Sequence, residues 1–347
     1  MLREIYEQPK TVAETLAVNL GEAKKIVQQL RPNGIGMVYF SGSGTSYNAC
    51  LAANFALAAL TRIFGSSLPA SEFSTWVKQM QRRETILVAI SQSGESSDVI
   101  AAANAALGSG IRVVAITNTP QSSLARLAGL SLISRAGEEK AVTATKSFTA
   151  TLAAAYALVL EMAQPTLSND YDKLTAALKA VPNIMAETIQ LCDGAVRMLA
   201  SELREKEFVF LLGSGSNYPT ALEGALKLKE SCNVHAEGFA TREFLHGPMQ
   251  LVDERTPVLI LQDGAEEAEA YRLAESFMRF GAPTIMIKPK SEQSPRAGIQ
   301  TLEVASGTPQ MFLPLVYIMP LQLYAYYSSL ARNLNPDRPE KLAKVVR

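Results

Sequence analysis

Gly42-Ser43-Gly44-Thr45-Ser46-Tyr47 and Gly213-Ser214-Gly215-Ser216-Asn217-Tyr218 are two versions of one stretch, 171 residues apart. At the same offset Glu72-Phe73 meets Glu243-Phe244, Gly110 meets Gly281, and the apolar runs 85–90 and 256–261 coincide. One short match is chance. Four in a single register, without insertion, imply two copies of one domain.

Working outward, each copy alternates short apolar runs with helical patterns. In the first, 37–40, 86–90, 113–116 and 130–133 read as strands, with helical stretches near 46–60, 97–109 and 147–163. In the second, 208–212, 258–261 and 284–287 read as strands. Strands alternating with helices predict an α/β fold: in each copy a parallel, doubly wound, flavodoxin-like sheet with helices on both faces. The expected organisation is a helical segment over 1–30, a first domain over 31–163, a helical connector over 164–200, a second domain over 201–335, and a tail over 336–347.

Composition narrows the function. The 347 residues are about two domains' worth, and 48% hydrophobic against 19% charged residues can bury substantial cores. Lys+Arg and Asp+Glu both number 33, which argues against a nucleic-acid binder. Three scattered cysteines and two histidines supply neither a disulfide framework nor a His-rich metal site, so no metal and no cofactor are expected. The charged start Met1-Leu2-Arg3-Glu4-Ile5 lacks a signal-peptide pattern. The most apolar run, 147–163, is broken by threonines and Glu161 and is too short for a span of about 20 residues. A soluble cytoplasmic protein with no membrane partner is the expectation.

The Gly-Ser-Gly turns are not dinucleotide fingerprints, because the third glycine of GxGxxG is Tyr47 in one copy and Tyr218 in the other. No Walker sequence is present. Thr45 and Ser46 sit where a strand turns into a helix, and the helix N-terminus there favours an anion. A second hydroxyl-rich turn, Ser91-Gln92-Ser93-Gly94-Glu95-Ser96, follows the next strand in the same way. Either turn alone is ordinary serine N-capping; both together suit one phosphate monoester. The equivalent second-copy turn, Gln262-Asp263-Gly264-Ala265-Glu266-Glu267, carries carboxylates, so only the first copy is expected to bind phosphate.

Glu223, Lys227 and Glu230 fall on one helical face where the first copy has Ala52, Ala56 and Ala59. Spacing alone leaves a surface salt-bridge ladder equally open. His246 precedes Gly247-Pro248, a forced turn that could aim the imidazole into a cleft; His235 reads as structural. A phosphate cradle with a carboxylate, a histidine and lysines suits proton shuttling beside a carbonyl: aldose–ketose isomerisation, or amine–carbonyl exchange on a phosphosugar.

These motifs, with the tail Leu342-Ala343-Lys344, resemble the isomerase half of glutamine–fructose-6-phosphate aminotransferase, and the likeness runs from Glu4-Ile5-Tyr6-Glu7-Gln8-Pro9 to the C-terminus. The resemblance implies two tandem sugar isomerase (SIS) domains. It implies that Glu230 moves a proton between C1 and C2, that His246 opens the ring from a neighbouring subunit of a homodimer, that Lys344 forms a Schiff base with the open-chain ketose, and that Lys227 assists. It assigns Thr45, Ser91, Gln92, Ser93 and Ser96 to the 6-phosphate, and adds Gly44, Ser46, Val142, Ala144 and Ala343 to the residues that bind the phosphosugar. Ser96 stands where the family more often has threonine, and Ala144 where it usually has serine. The chain starts at the isomerase half, and its first cysteine, Cys50, lies inside a domain. The expectation drawn from this is a glucosamine-6-phosphate deaminase yielding fructose 6-phosphate and ammonia. A fructosamine-6-phosphate deglycase or other phosphosugar isomerase, a deaminase of the galactosamine epimer, and, from a different class, a non-catalytic phosphosugar sensor are the alternatives. A sensor would need the phosphate turn but not Glu230, His246 and Lys344 together.

Overall fold

The computed structural model describes residues 1–77, 84–265, 267–291 and 296–344. Glu266 of the second-copy turn and 345–347 of the tail therefore lie outside the described residues. The chain forms two compact units. One comprises Glu7–Glu139, Ala144–Pro182 and the tail from Ala343; the other comprises Met1–Tyr6, Lys140–Thr143 and Asn183–Leu342.

Helix α1 (Leu2–Leu30) leads into β1 (Met37–Gly42), α2 (Thr45–Leu60), β2 (Phe64–Pro69), α3 (Ala70–Trp76) and β3 (Thr85–Ile90). Then follow α4 (Ser97–Gly108), β4 (Arg112–Thr117), α5 (Ser123–Ala128), β5 (Leu130–Ile133) and α6 (Lys146–Leu167). The five strands form a parallel sheet in the order β2-β1-β3-β4-β5. Every residue of β3 is buried, as its unbroken apolar run requires in a central strand covered on both faces. Helix α6 is buried from Lys146 to Ala163; its alanines, and Ala49, Ala52, Ala53 and Ala56 of α2, let these two helices pack closely.

After α7 (Asp170–Glu202) the pattern repeats: β6 (Phe208–Gly213), α8 (Asn217–Cys232), β7 (His235–Ala240), β8 (Val258–Leu261), α9 (Glu267–Arg279), β9 (Thr284–Pro289), β10 (Gln300–Val304) and α10 (Pro314–Ala331). This sheet is also parallel, in the order β10-β9-β8-β6-β7. Numbered within its own copy, each sheet runs 2-1-3-4-5, the flavodoxin-like arrangement. The seven strands expected from sequence are all present. The sequence reading missed β2, β7 and β10.

The repeated glycines have separate reasons. A Cβ on Gly42 would lie 2.9 Å from the Ser46 backbone, and one on Gly213 would lie 2.2 Å from the Asn217 carbonyl oxygen, so no side chain fits where helix folds back over strand. Gly44 and Gly215 instead adopt φ of +55° and +54°, a region that L side chains avoid.

Candidate active site

In a 2-1-3-4-5 sheet, ligands gather at the carboxyl ends of the first and third strands, where the connections diverge. In the first unit these are β1 and β3, neighbours in register with Ser41 beside Ala89. The turns that follow them are the two hydroxyl-rich stretches. Ser91 is buried; its N–H donates to the Ile116 carbonyl and its Oγ accepts the Gly94 N–H, both at 3.1 Å. Ser93 Oγ accepts the Glu95 N–H at 3.2 Å. Each hydroxyl thus accepts a backbone hydrogen bond inside the turn. Simple N-capping does not describe these turns: Ser96 precedes α4 and Gly44 precedes α2, and neither helix has a side-chain cap hydrogen bond.

Beyond the turns lies a cavity of about 700 Å³, lined by Gln92, Ser93, Asn118, Arg135, Glu139 and Lys344, among others. Thr45, Ser46, Ser91 and Ser96 are not among its lining residues. Two lining groups were invisible in the sequence reading. Exposed Arg135 adds a second cation beside the turn. Glu139 is the larger omission.

The Glu139 carboxylate is fully buried and satisfied five times. Oε1 accepts the Thr145 N–H at 2.8 Å, the Thr145 hydroxyl at 3.3 Å and the Ser147 N–H at 3.1 Å. Oε2 accepts the Ser147 hydroxyl at 2.6 Å and the Lys344 ammonium at 2.7 Å. Burial pushes the carboxyl up; the Lys344 ammonium, the Ser147 hydroxyl and the Thr145 N–H more than reverse this and hold it below the usual carboxylate range. Glu139 thereby seats the tail lysine in the same cavity as Gln92 and Ser93. Ala343 beside it is exposed, Ala144 is half-buried, and Val142, in the other unit, donates its N–H to the Asp337 carbonyl at 3.0 Å.

In the second unit, α8 brings Glu223, Lys227 and Glu230 together. Lys227 Nζ lies 3.2 Å from Glu223 Oε1 and 2.7 Å from Glu230 Oε2; Glu223 and Lys227 are fully buried and Glu230 keeps 22% of its side chain exposed. This corrects the surface-ladder alternative: a ladder would be solvated, whereas here one ammonium is held between two carboxylates out of water. Burial pushes the Lys227 ammonium down, but Glu223 and Glu230 outweigh it and hold it above the usual lysine value. Glu230 is the exposed end of the network, the member that a solute can reach. His246 is exposed and ends the short turn Glu243–Leu245, its N–H donating to the Glu243 carbonyl at 3.0 Å. His235 opens β7, exposed and stacked 5.4 Å from Phe208.

The thiols of Cys50, Cys192 and Cys232 are all buried. Burial pushes each up, Cys192 to about 12 and Cys232 to about 11, so none is a nucleophile near neutral pH. Among the described residues no helix is long and apolar enough to cross a membrane.

The sequence matches the family described as SIS domain over residues 35–161 and 202–332. Glutamine–fructose-6-phosphate aminotransferase (isomerizing) of Pyrobaculum aerophilum is 37% identical over 352 residues, covering 100% of this chain and 57% of the relative. The chain thus spans little more than half the length of the curated relatives it matches, and the homology is to their C-terminal isomerase domain. The C-terminal domain of glucosamine-fructose-6-phosphate aminotransferase from Francisella tularensis superposes with a TM-score of 0.91 at 29% identity, covering 98% of this chain and 97% of that one. Glucosamine-6-phosphate deaminase from Thermotoga maritima shares the fold, with a TM-score of 0.72 at 22% identity over 97% of this chain and 99% of that one.

Proposed function

This chain belongs to the SIS domain family, and on that premise we propose that it is an enzyme acting on an amino-sugar 6-phosphate, converting glucosamine 6-phosphate and water into fructose 6-phosphate and ammonia. The observation that carries the reading is the docking of Lys344, by Glu139, in the cavity that Gln92 and Ser93 line. An amine beside a hydroxyl-rich turn suits a phosphosugar that forms an imine.

In this reading Gly44, Thr45, Ser46, Ser91, Gln92, Ser93 and Ser96 hold the phosphate, and Val142, Ala144 and Ala343 border the sugar. His246 of the partner subunit in a homodimer opens the ring. Glu230 takes the C2 proton and returns it to C1 while a proton passes from the amine nitrogen to O1, leaving an imine at C2, and Lys227 orients the carboxylate. Lys344 exchanges with that imine, which frees ammonia, and water then hydrolyses the lysine adduct to the ketose. Every proton and the amine nitrogen are accounted for without a redox partner. The name of the relatives favours a second reading, the same steps run toward the amino sugar.

The test is ammonia release from a panel: glucosamine 6-phosphate, galactosamine 6-phosphate, fructosamine 6-phosphate and unphosphorylated glucosamine. Fast release from glucosamine 6-phosphate alone supports the reading. Release from the fructosamine only would make the chain a deglycase. Comparable turnover of unphosphorylated glucosamine would remove the phosphate cradle from the account.

A further inference from the structure

The second copy has a cavity of its own at the position where the first copy has its cradle. It measures about 420 Å³ and opens at the carboxyl ends of β6 and β8, the divergence point of the second sheet. That volume falls within the range of roughly 300–1,000 Å³ typical of small-molecule sites. At the repeat offset Asp263 replaces Gln92 and Gln310 replaces Glu139, and each of the four lines the cavity of its own copy. Duplication has kept the crevice and changed its chemistry.

The wall is built rather than incidental. Asp263 Oδ1 accepts the Ala265 N–H at 2.9 Å and Oδ2 accepts from Gln310 Nε2 at 3.1 Å. Gln310 is fixed in turn, its carbonyl accepting the Ser216 hydroxyl at 2.5 Å. A carboxylate has about four acceptor sites, so Asp263 retains capacity for a ligand. The other charged lining groups, Arg242 and Glu269, pair with each other at 2.8 Å. Two carboxylates against one guanidinium leave the cavity negative, and Glu267 and Glu269 in the first turn of α9 already answer that helix's dipole. A phosphate would be repelled. The apolar floor of Ile260 and Leu261 suits the C–H face of a sugar ring.

We propose that this cavity is a second ligand site, specific for a small unphosphorylated polyol carrying a protonated amine. The ammonium binds Asp263, with the Ser214 and Thr241 hydroxyls at the rim for the ligand's own hydroxyls. The site stands independently of the deaminase reading, because it shares no residue with the cradle.

Isothermal titration of the full chain with glucosamine tests it, with N-acetylglucosamine and inorganic phosphate as comparison probes. Glucosamine should bind, and N-acetylglucosamine, its charge removed, should bind about tenfold or more weakly. Asp263→Asn, nearly isosteric and checked for an unchanged melting temperature, should lose glucosamine by a similar factor, while Ser93→Ala leaves glucosamine binding intact. Phosphate binding should follow the reverse pattern. Equal affinity for the two sugars, glucosamine binding unchanged in Asp263→Asn, binding abolished by Ser93→Ala, or no heat in wild type would each overturn the proposal. An Asp263→Asn protein that melts early leaves the comparison of the two sugars on wild type to decide.

Discussion

At the scale of single residues, Glu139 is the group with the most to teach. It lies in an irregular stretch between β5 and α6, far along the chain from the hydroxyl-rich turns, and nothing in Gly137-Glu138-Glu139-Lys140 distinguishes one glutamate from the other. Only folding buries Glu139 and leaves Glu138 exposed. Lys344, by contrast, was legible from the resemblance, and the structure supplies its partner. The Glu139 carboxyl is held below its ordinary value, so the unfolded chain binds the proton more tightly than the folded one. Its contribution is therefore complete above the ordinary carboxyl value of about 4.3 and is lost as pH falls through the lower folded value. Thermal unfolding measured against pH should show this acid-side loss in wild type and lack it in Glu139→Gln. At pH 7 the variant should be less stable by about 1–3 kcal/mol, the cost of unbalancing a buried hydrogen-bonded charge. A variant as stable as wild type at pH 7, with the same acid limb, would mean that Glu139 does not seat the tail.

Secondary-structure elements were most readable where they are buried, although the edge strand β5 was readable too. The central strands β3 and β8 carry continuous apolar runs because both faces are covered. The three strands that sequence reading missed are all at or near sheet edges. β2, with Phe64-Gly65-Ser66-Ser67-Leu68-Pro69, reads as a turn; β7 contains a charge and a glycine; β10 alternates in burial. An edge strand pairs on one side only, so it needs neither the apolar continuity nor the β-branched content of a central one. The helical stretch read over 147–163 is longer than expected: α6 continues through Pro165 to Leu167. Proline has no N–H for the carbonyl four residues back, and that carbonyl, on Glu161, accepts Arg31 Nη2 at 3.2 Å instead. Arg31→Ala should therefore destabilise by about 1 kcal/mol, and the same substitution in a Pro165→Ala background should cost clearly less. Equal costs in denaturant titrations of the two backgrounds would show that Arg31 is not standing in for the missing N–H.

On the scale of the whole molecule, the duplication explains why one fold carries two chemistries. Both copies keep the glycine that lets helix return over strand and the glycine with positive φ, since the turn cannot form otherwise. The residues facing the crevices are free to differ, and they do: serines after β3, Gln262 and Asp263 after β8. The buried cluster on α8, set against alanines at the equivalent positions on α2, was readable as a difference between copies, but its burial was not. The proposed homodimer makes a quantitative prediction. If His246 serves the partner's site, mixing the inactive His246→Ala and Glu230→Gln variants should form hybrids in about half the dimers, each with one intact site. Roughly a quarter of wild-type activity should then return. Demonstrated subunit exchange without recovery would place His246 within its own chain's site.

The account rests above all on proton transfer between sugar carbons by Glu230, and solvent exchange reads that step directly. In deuterated water, wild type incubated with glucosamine 6-phosphate should introduce deuterium at C1 of the fructose 6-phosphate in those turnovers where the proton on Glu230 exchanges before its return, and a C2-deuterated substrate in light water should carry the remaining label to C1. Glu230→Gln should slow incorporation by about 10²–10⁴-fold, the usual cost of losing a general base, while product binding stays near normal. Wild type that releases ammonia with neither solvent deuterium at C1 nor a deuterium label carried from C2 to C1, or a Glu230→Gln variant that moves this hydrogen within about threefold of the wild-type rate, would contradict it.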